Sequence, residues 1–251
     1  MLKERDSSGA EIDLARPIAP QLRSILRRRI VRNLLKPDQK ISESEIAAQF
    51  GVSRQPVREA FIRLADDGLL SILPQRATRI RRIDIAEVRE ARFIRESVES
   101  DIVQVLAQSS DAATVAKLRD LVDQQNRIDA GDPVAFMVAD EAFHRELANS
   151  AAKFGIWRKL HGLKTQMDRV RFLSLEQFPI AKLVEQHADI VDGISKGDLG
   201  AAEAALRTHL REVLADLPLI AHRNPDFFDA IPDGAEDRVV ILHGGETEWL
   251  L

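Results

Sequence analysis

Apolar residues in the first third of the chain recur at intervals of three and four, and the intervals break at short stations rich in Gly, Pro, Ser and Asp. Leu22, Ile25, Leu26, Ile30 and Leu34 share one face of a predicted helix whose other faces carry Arg23, Arg27, Arg28 and Arg32, and the run stops at Lys36-Pro37-Asp38. A second helix is predicted over 42–50. Ser42 with Glu45 three residues on makes a capping box, and Gly51 can take the left-handed conformation that ends it. A third opens with Ser53 as N-cap and tolerates Pro56 in its first turn. It points Val57, Phe61, Leu64 and Ala65 inward and ends near Asp67-Gly68. Two helices joined by Gly-Val-Ser form a helix-turn-helix, whose second member is presented to a DNA major groove. Residues 69–73 and 78–83 are β-prone runs around a Pro74-Gln75-Arg76-Ala77 turn, and a hairpin directly after a recognition helix is a wing.

From Asp84 the pattern is helical, with segments near 84–108, 111–129, 133–149, 153–173, 177–196 and 198–221, separated by turn and cap signals such as Gly131-Asp132-Pro133. Six helices with short connections predict an antiparallel bundle with polar sites in its interior. The fold class is therefore mainly α: a winged helix-turn-helix at 20–83 and an antiparallel all-α bundle at 84–223. A flexible arm is expected at 1–19. Residues 224–251, with Pro225, Pro232, Gly234 and an apolar run at 239–242, read either as a flexible extension or as a strand added to another subunit.

Composition narrows the setting. The 251 residues are 45% hydrophobic and 30% charged, which excludes wholesale disorder. No window has the ~18 apolar residues of a membrane span, and the N-terminus lacks the apolar stretch of a signal peptide, so a cytoplasmic protein without a membrane partner is expected. With no cysteine, a metal must bind through His and carboxylates. The net charge of -4 conceals a division: residues 1–83 hold 17 Lys+Arg against 10 Asp+Glu, and the other 168 hold 19 against 30. A basic segment joined to an acidic one is expected where only one half meets a polyanion.

Candidate chemistry falls in both halves. Ser53, Arg54, Gln55 and Arg58 at the start of the third helix are candidate DNA contacts, since Arg can grip guanine and Gln adenine bidentately. Arg76 at the wing tip is placed for a minor groove or a phosphate, while Arg79, Arg81 and Arg82 supply general attraction. In the bundle, Asp140 and His144 stand four residues apart on one helical face, and His187 and His209 lie among apolar positions of the last two helices. Three imidazoles and a carboxylate suit Zn, Ni, Mn or Fe, zinc foremost. By spacing alone, a histidine on an apolar face is more often a hydrogen-bonded core residue than a ligand.

The stretch from Phe50-Gly51-Val52-Ser53-Arg54-Gln55-Pro56-Val57-Arg58-Glu59-Ala60 to Gly68-Leu69 resembles the signature of the GntR family of bacterial transcriptional regulators. Asn33, Asp38 and Ala77 stand where that family commonly has glycine. Arg95-Glu96-Ser97-Val98-Glu99, Asp140-Glu141-Ala142-Phe143-His144, His187-Ala188-Asp189-Ile190, Gly197-Asp198 and His209 resemble the FCD effector domain of its FadR subfamily, in the six-helix, VanR-like form. The resemblance implies a divalent cation on Asp140, His144, His187 and His209 at the floor of a pocket for a small organic acid. It also implies a role for Arg95 as a bidentate clamp on the effector carboxylate, where the plainer reading is a surface salt bridge with Glu99. Arg145 and Asn149 are further effector candidates, and His161, His222 and His243 are expected on the surface. The function implied is a regulator that binds double-stranded operator DNA as a homodimer and senses a small carboxylate. Two alternatives compete: a metal-dependent enzyme acting on a small carboxylic acid, and a DNA-binding protein whose metal is purely structural.

Overall fold

The computed structural model describes residues 12–72, 77–129 and 131–229. Helix α1 (Ile18–Val31) buries Leu22, Ile25, Leu26 and Ile30. It ends earlier than its apolar spacing predicts: Asn33 turns the backbone to φ 57°, so Leu34 leaves the helical face and is 48% exposed. Asp38 adopts φ 60°. Both stand where glycine was expected, and Asn and Asp tolerate the left-handed region better than most residues. A short strand β1 (Lys40–Ile41) follows, too brief to show alternation and so missed by periodicity. Helix α2 (Glu43–Phe50) starts on the Ser42 hydroxyl, which accepts the Glu45 N–H at 3.1 Å, and ends on Gly51 at φ 64°. Helix α3 (Arg54–Asp66) buries Val57, Ala60, Phe61 and Leu64, which share one core with α1. The wing strands are shorter than predicted: β2 (Leu70–Ser71) and β3 (Thr78–Ile80) are antiparallel with Leu70 opposite Ile80, and β1 pairs with the other edge of β3. Ile80 is buried in the core, while the chain beyond it turns to the linker.

The bundle comprises α4 (Ile85–Ser109), α5 (Ala112–Asn126), α6 (Pro133–Ser150), α7 (Phe154–Leu163), α8 (Thr165–Leu175), α9 (Ile180–Ser195) and α10 (Leu199–Arg223). Asp84, Asp111, Asp132 and Asp198 cap α4, α5, α6 and α10, each carboxylate accepting an N–H of the first turn. The one helix expected near 153–173 is two. They meet at Lys164, where the Thr165 hydroxyl donates to the Gly162 carbonyl at 3.0 Å and competes for an acceptor of the helical ladder. Among the described residues the bundle therefore has seven helices rather than six.

Phe136, Phe143, Leu147, Ile190 and Leu206 form the bundle core. A separate cluster of Ile83, Val88, Met167, Val170, Ile220 and Phe228 packs α4, α8 and α10 against Ile83, the residue at the junction with the winged helix. Polar contacts cross the same junction from α8: Asp168 meets Arg27 at 2.8 Å, the Gln166 amide donates to the Gly68 carbonyl at 2.8 Å, and Arg169 donates to the Arg81 carbonyl at 2.9 Å. After α10 the chain turns back through a 3-10 turn (Pro225–Phe227), and Ile83 pairs with it: its N–H donates to the Phe227 carbonyl at 2.7 Å and its carbonyl accepts from Asp229 at 3.0 Å. The start of the predicted extension thus pairs with its own chain. Residues 230–251 with His243, the arm up to residue 11, the turn with Arg76 and the side chain of His161 lie outside the described residues.

Candidate metal centre and nucleic-acid interface

Helix α6 carries Asp140 and His144 one turn apart, facing the interior, and α9 and α10 bring His187 and His209 to the same spot. All four are buried, with one ligand atom of each within 4.8 Å of the others. His209 Nε2 stands 3.1 Å from His144 Nε2 and 3.2 Å from His187 Nε2. Asp140 Oδ1 is 3.5 Å from His187 Nε2 and 3.8 Å from His144 Nε2.

Proton positions decide what fills this space. Burial alone would raise the Glu99 carboxyl, but Arg95 and His144 hold it down at about 2. Glu99 is therefore a pure acceptor, and His144 Nδ1, 2.7 Å away, must donate to it. Gln125 gives its amide nitrogen to the Ala139 carbonyl and Gln186 gives its own to Glu212, which turns their oxygens toward His187 Nδ1 at 2.6 Å and His209 Nδ1 at 3.1 Å. Each Nδ1 thus carries the proton and each Nε2 a lone pair. Burial pushes the His187 imidazole down to about 3 and His209 well below its ordinary value, so these two rings take up no second proton at neutral pH. Three lone pairs and a carboxylate at such separations form the donor set of a divalent cation, oriented by outer hydrogen bonds. A tetrahedral cation with bonds of ~2.0–2.1 Å sets its ligand atoms about 3.3 Å apart, within the span of the four separations above. The residues fit the group.

Two arginines attend the cluster. Arg171, on α8, chelates Asp140, with Nη1 2.7 Å from Oδ2 and Nη2 on Oδ1. Burial would raise the Asp140 carboxyl; Arg171, His144 and His187 instead hold it well below the usual carboxylate range. Arg95 is 1% exposed and donates to Glu99 from Nε at 2.6 Å, while its buried Nη1 has no hydrogen-bond partner among the described residues. Both arginines line a cavity of about 100 Å³ beside His209, with Met167, Phe178 and Leu183 as apolar walls.

On the winged helix, Ser53, Arg54, Gln55 and Arg58 are exposed at the start of α3. Ser53 occupies the N-cap position, yet its hydroxyl makes no capping bond. Arg54 pairs with Glu43 at 3.2 Å and Gln55 with Glu59 at 3.1 Å, contacts weak enough at the surface to be exchanged for a nucleic acid. Arg79, Arg81 and Arg82, expected as unspecific charge, are engaged within the chain by the Asp38 carbonyl, by Gly68 and Glu87, and by the Asp38 carboxylate.

Known proteins divide along the same boundary. The family described as bacterial regulatory proteins, gntR family, matches residues 19–80, and the FCD domain matches residues 84–212. The chain is a GntR-family regulator with an FCD domain. An HTH-type transcriptional regulator in an unstable DNA locus of Streptomyces ambofaciens is 39% identical over 81% of this chain and 86% of its own. The HTH-type transcriptional repressor RspR of Escherichia coli is 36% identical over 87% of this chain and 96% of its own. Among solved structures, a GntR regulator from Rhodococcus matches with a TM-score of 0.64 at 27% identity, over 80% of this chain and 97% of that one. Escherichia coli McbR/YncC shares the fold, with a TM-score of 0.67 at 19% identity, over 82% and 97%. The matching families and relatives are transcriptional regulators, not enzymes. No helix among the described residues is long and apolar enough to cross a membrane.

In this GntR regulator the structure brings the four metal candidates together and sets Arg95 at the cavity. It sets the other two effector candidates elsewhere: Arg145 is exposed and lines a groove facing α1, and Asn149 is exposed beside Glu146. His222 is on the surface as expected. Sequence reading missed Arg171, Gln125 and Gln186, and took Glu99 only as a partner of Arg95. The one available signal was a lone amide within an apolar helical face, as Gln125 is beside Leu118 and Val122.

Proposed function

We propose that the protein binds operator DNA as a homodimer and represses transcription until a small carboxylate enters the cavity beside a metal held by Asp140, His144, His187 and His209. The observation that carries the reading is the pairing of three inward lone pairs with an unspent, buried guanidinium nitrogen on Arg95. When bound, the cation, zinc foremost, supplies a Lewis-acidic coordination position for a carboxylate oxygen. Arg95 supplies a directional donor for that carboxylate, and the apolar walls exclude water from it. Residues 20–83 read the operator through Ser53, Arg54, Gln55 and Arg58, with Arg76 reaching from the wing, and residues 84–223 sense and dimerise. Exposed Phe93 on α4, at 64%, offers apolar surface for a second copy. Repression is the role named for the Escherichia coli relative.

Helix α8 provides the link, since Arg171 holds Asp140 while Gln166 and Arg169 hold the backbone at Gly68 and Arg81. Coupling between two such sites is typically ~1–3 kcal/mol, or about 5–150-fold in operator affinity. The test is an operator titration of metal-loaded protein against a panel of small carboxylates, with His187→Ala as control. At least one acid should weaken operator binding in the wild type only, and elemental analysis should show the variant depleted of metal. Full metal occupancy in His187→Ala, or operator affinity indifferent to every acid, overturns the reading.

A further inference from the structure

A second concavity, of about 260 Å³, opens between α1 of the winged helix and α6 and α8 of the bundle. Three carboxylates line it, and each is already satisfied: Asp168 by Arg27 at 2.8 Å and Lys164 at 2.6 Å, Glu141 by Lys164 at 2.7 Å, and Asp140 by Arg171 at 2.7 Å. That leaves Arg28, Arg32 and Arg145 in the lining without a counter-charge. Arg28 bonds only the Ser24 hydroxyl of its own helix, at 3.0 Å, and Arg32 and Arg145 have no ion pair or hydrogen bond from their side chains among the described residues. Arg28, in the last turn of α1, and Arg32, its C-cap residue, are four positions apart, a like-charge pair that costs the helix end a little on its own. Arg145 faces them from α6. The remaining wall is apolar, from Val31, Val134, Met137 and Val138, and a low-dielectric concavity focuses the surplus charge.

We propose that this groove is a second ligand site, for a small anion bearing at least two oxyanion groups, whose occupation ties the DNA-binding domain to the bundle. Three planar guanidiniums carry more positive charge than one oxyanion group neutralises, and each can grip such a group bidentately, which matches a ligand with at least two of them. The volume falls at the small end of ligand pockets and suits a compact molecule. A ligand held by Arg28 and Arg32 on one side and Arg145 on the other bridges α1, which packs on the recognition helix, to the helix that carries Asp140 and His144. The inference is independent of the metal and effector reading above.

The probe is inorganic pyrophosphate, titrated calorimetrically into the full chain at fixed ionic strength, with metal content measured before and after. One pyrophosphate should bind per chain. Arg32→Ala and Arg145→Ala should each weaken it by about tenfold or more, as for loss of a charge-assisted hydrogen bond, and Arg95→Ala should leave it unchanged. Neither Arg32 nor Arg145 leaves a stranded partner when truncated, and matching melting temperatures would verify the fold, with Arg145→Gln as a second variant. No binding by the wild type, equal binding by Arg145→Ala, or loss of binding in Arg95→Ala overturns the proposal. So does weaker operator binding by Arg32→Ala or Arg145→Ala in anion-free buffer, which would give these arginines to DNA phosphates instead.

Discussion

Asp140 is a buried carboxylate whose two oxygens are both taken by one guanidinium, and that pairing makes Arg171 the residue on which the unloaded site depends. Removing one partner of a buried pair strands the other charge, at a cost of about 3–5 kcal/mol. Arg171→Met should therefore lower the stability of metal-free protein by about 3 kcal/mol, and zinc should recover much of the loss by supplying the positive charge in its place. Denaturant melts with and without zinc would check this; an equal loss in both would show that the cation and Arg171 do not substitute for one another. Glu96 is the second buried carboxylate of note. Burial pushes its carboxyl up, but Arg211, Arg207 and Arg92 bring it down from 4.5 to about 2. A depressed carboxylate contributes stability that is complete above the unfolded value and is lost as pH falls through the folded one. Wild-type stability should thus decline from about pH 4.5 toward pH 2, and Glu96→Gln, weaker at pH 7 by on the order of 1–3 kcal/mol, should show a flatter decline in urea midpoints. At this scale the sequence reveals the metal set only in part. The spacing of Asp140 and His144 states a shared helical face, whereas Gln125, Gln186 and Glu99 acquire meaning only when three other helices bring imidazoles against them.

Helices α9 and α10 carry one imidazole ligand each, and their separation is set by a missing side chain. A Cβ on Gly193 would lie 2.6 Å from the Ala202 nitrogen and 2.7 Å from its Cα, backbone that cannot swing aside. Gly193→Ala should force the two helices apart, costing about 1–3 kcal/mol, and should reduce zinc stoichiometry because His187 and His209 ride on the displaced elements. Thermal melts and elemental analysis test both effects; undiminished zinc would mean the site is insensitive to the helix spacing. Element boundaries marked by side-chain caps were legible, as at Asp84, Asp111, Asp132 and Asp198, because the signal is local. The division at Lys164 was not, since it depends on a serine-like bond from Thr165 inside an otherwise helical pattern, and β1 was not, since its pairing partner lies 39 residues on.

Across the whole molecule the charge division has a structural counterpart. The basic half leaves Arg54 and Arg58 exposed at one end of α3, whereas Arg23 and Arg27 are spent on Asp67 and Asp168. Arg54→Ala should weaken operator binding by ~1–3 kcal/mol and relax base preference at one position of each half-site, with fold and oligomeric state unchanged. A titration against operator and single-base variants would reveal it, and unaltered affinity would remove α3 from the interface. The two-domain plan was readable because each half repeats one periodicity with its own charge sign. The packing of one half on the other was not, because its contacts include backbone carbonyls at Gly68 and Arg81, which no side-chain pattern encodes. Pairing of Ile83 with the segment around Phe228 adds a final property: the chain enters and leaves the bundle through neighbouring hydrogen bonds. A unit whose ends already touch can be spliced into a surface loop of an unrelated protein without a gap to span, so the helical bundle has the end-to-end geometry that a domain insertion requires.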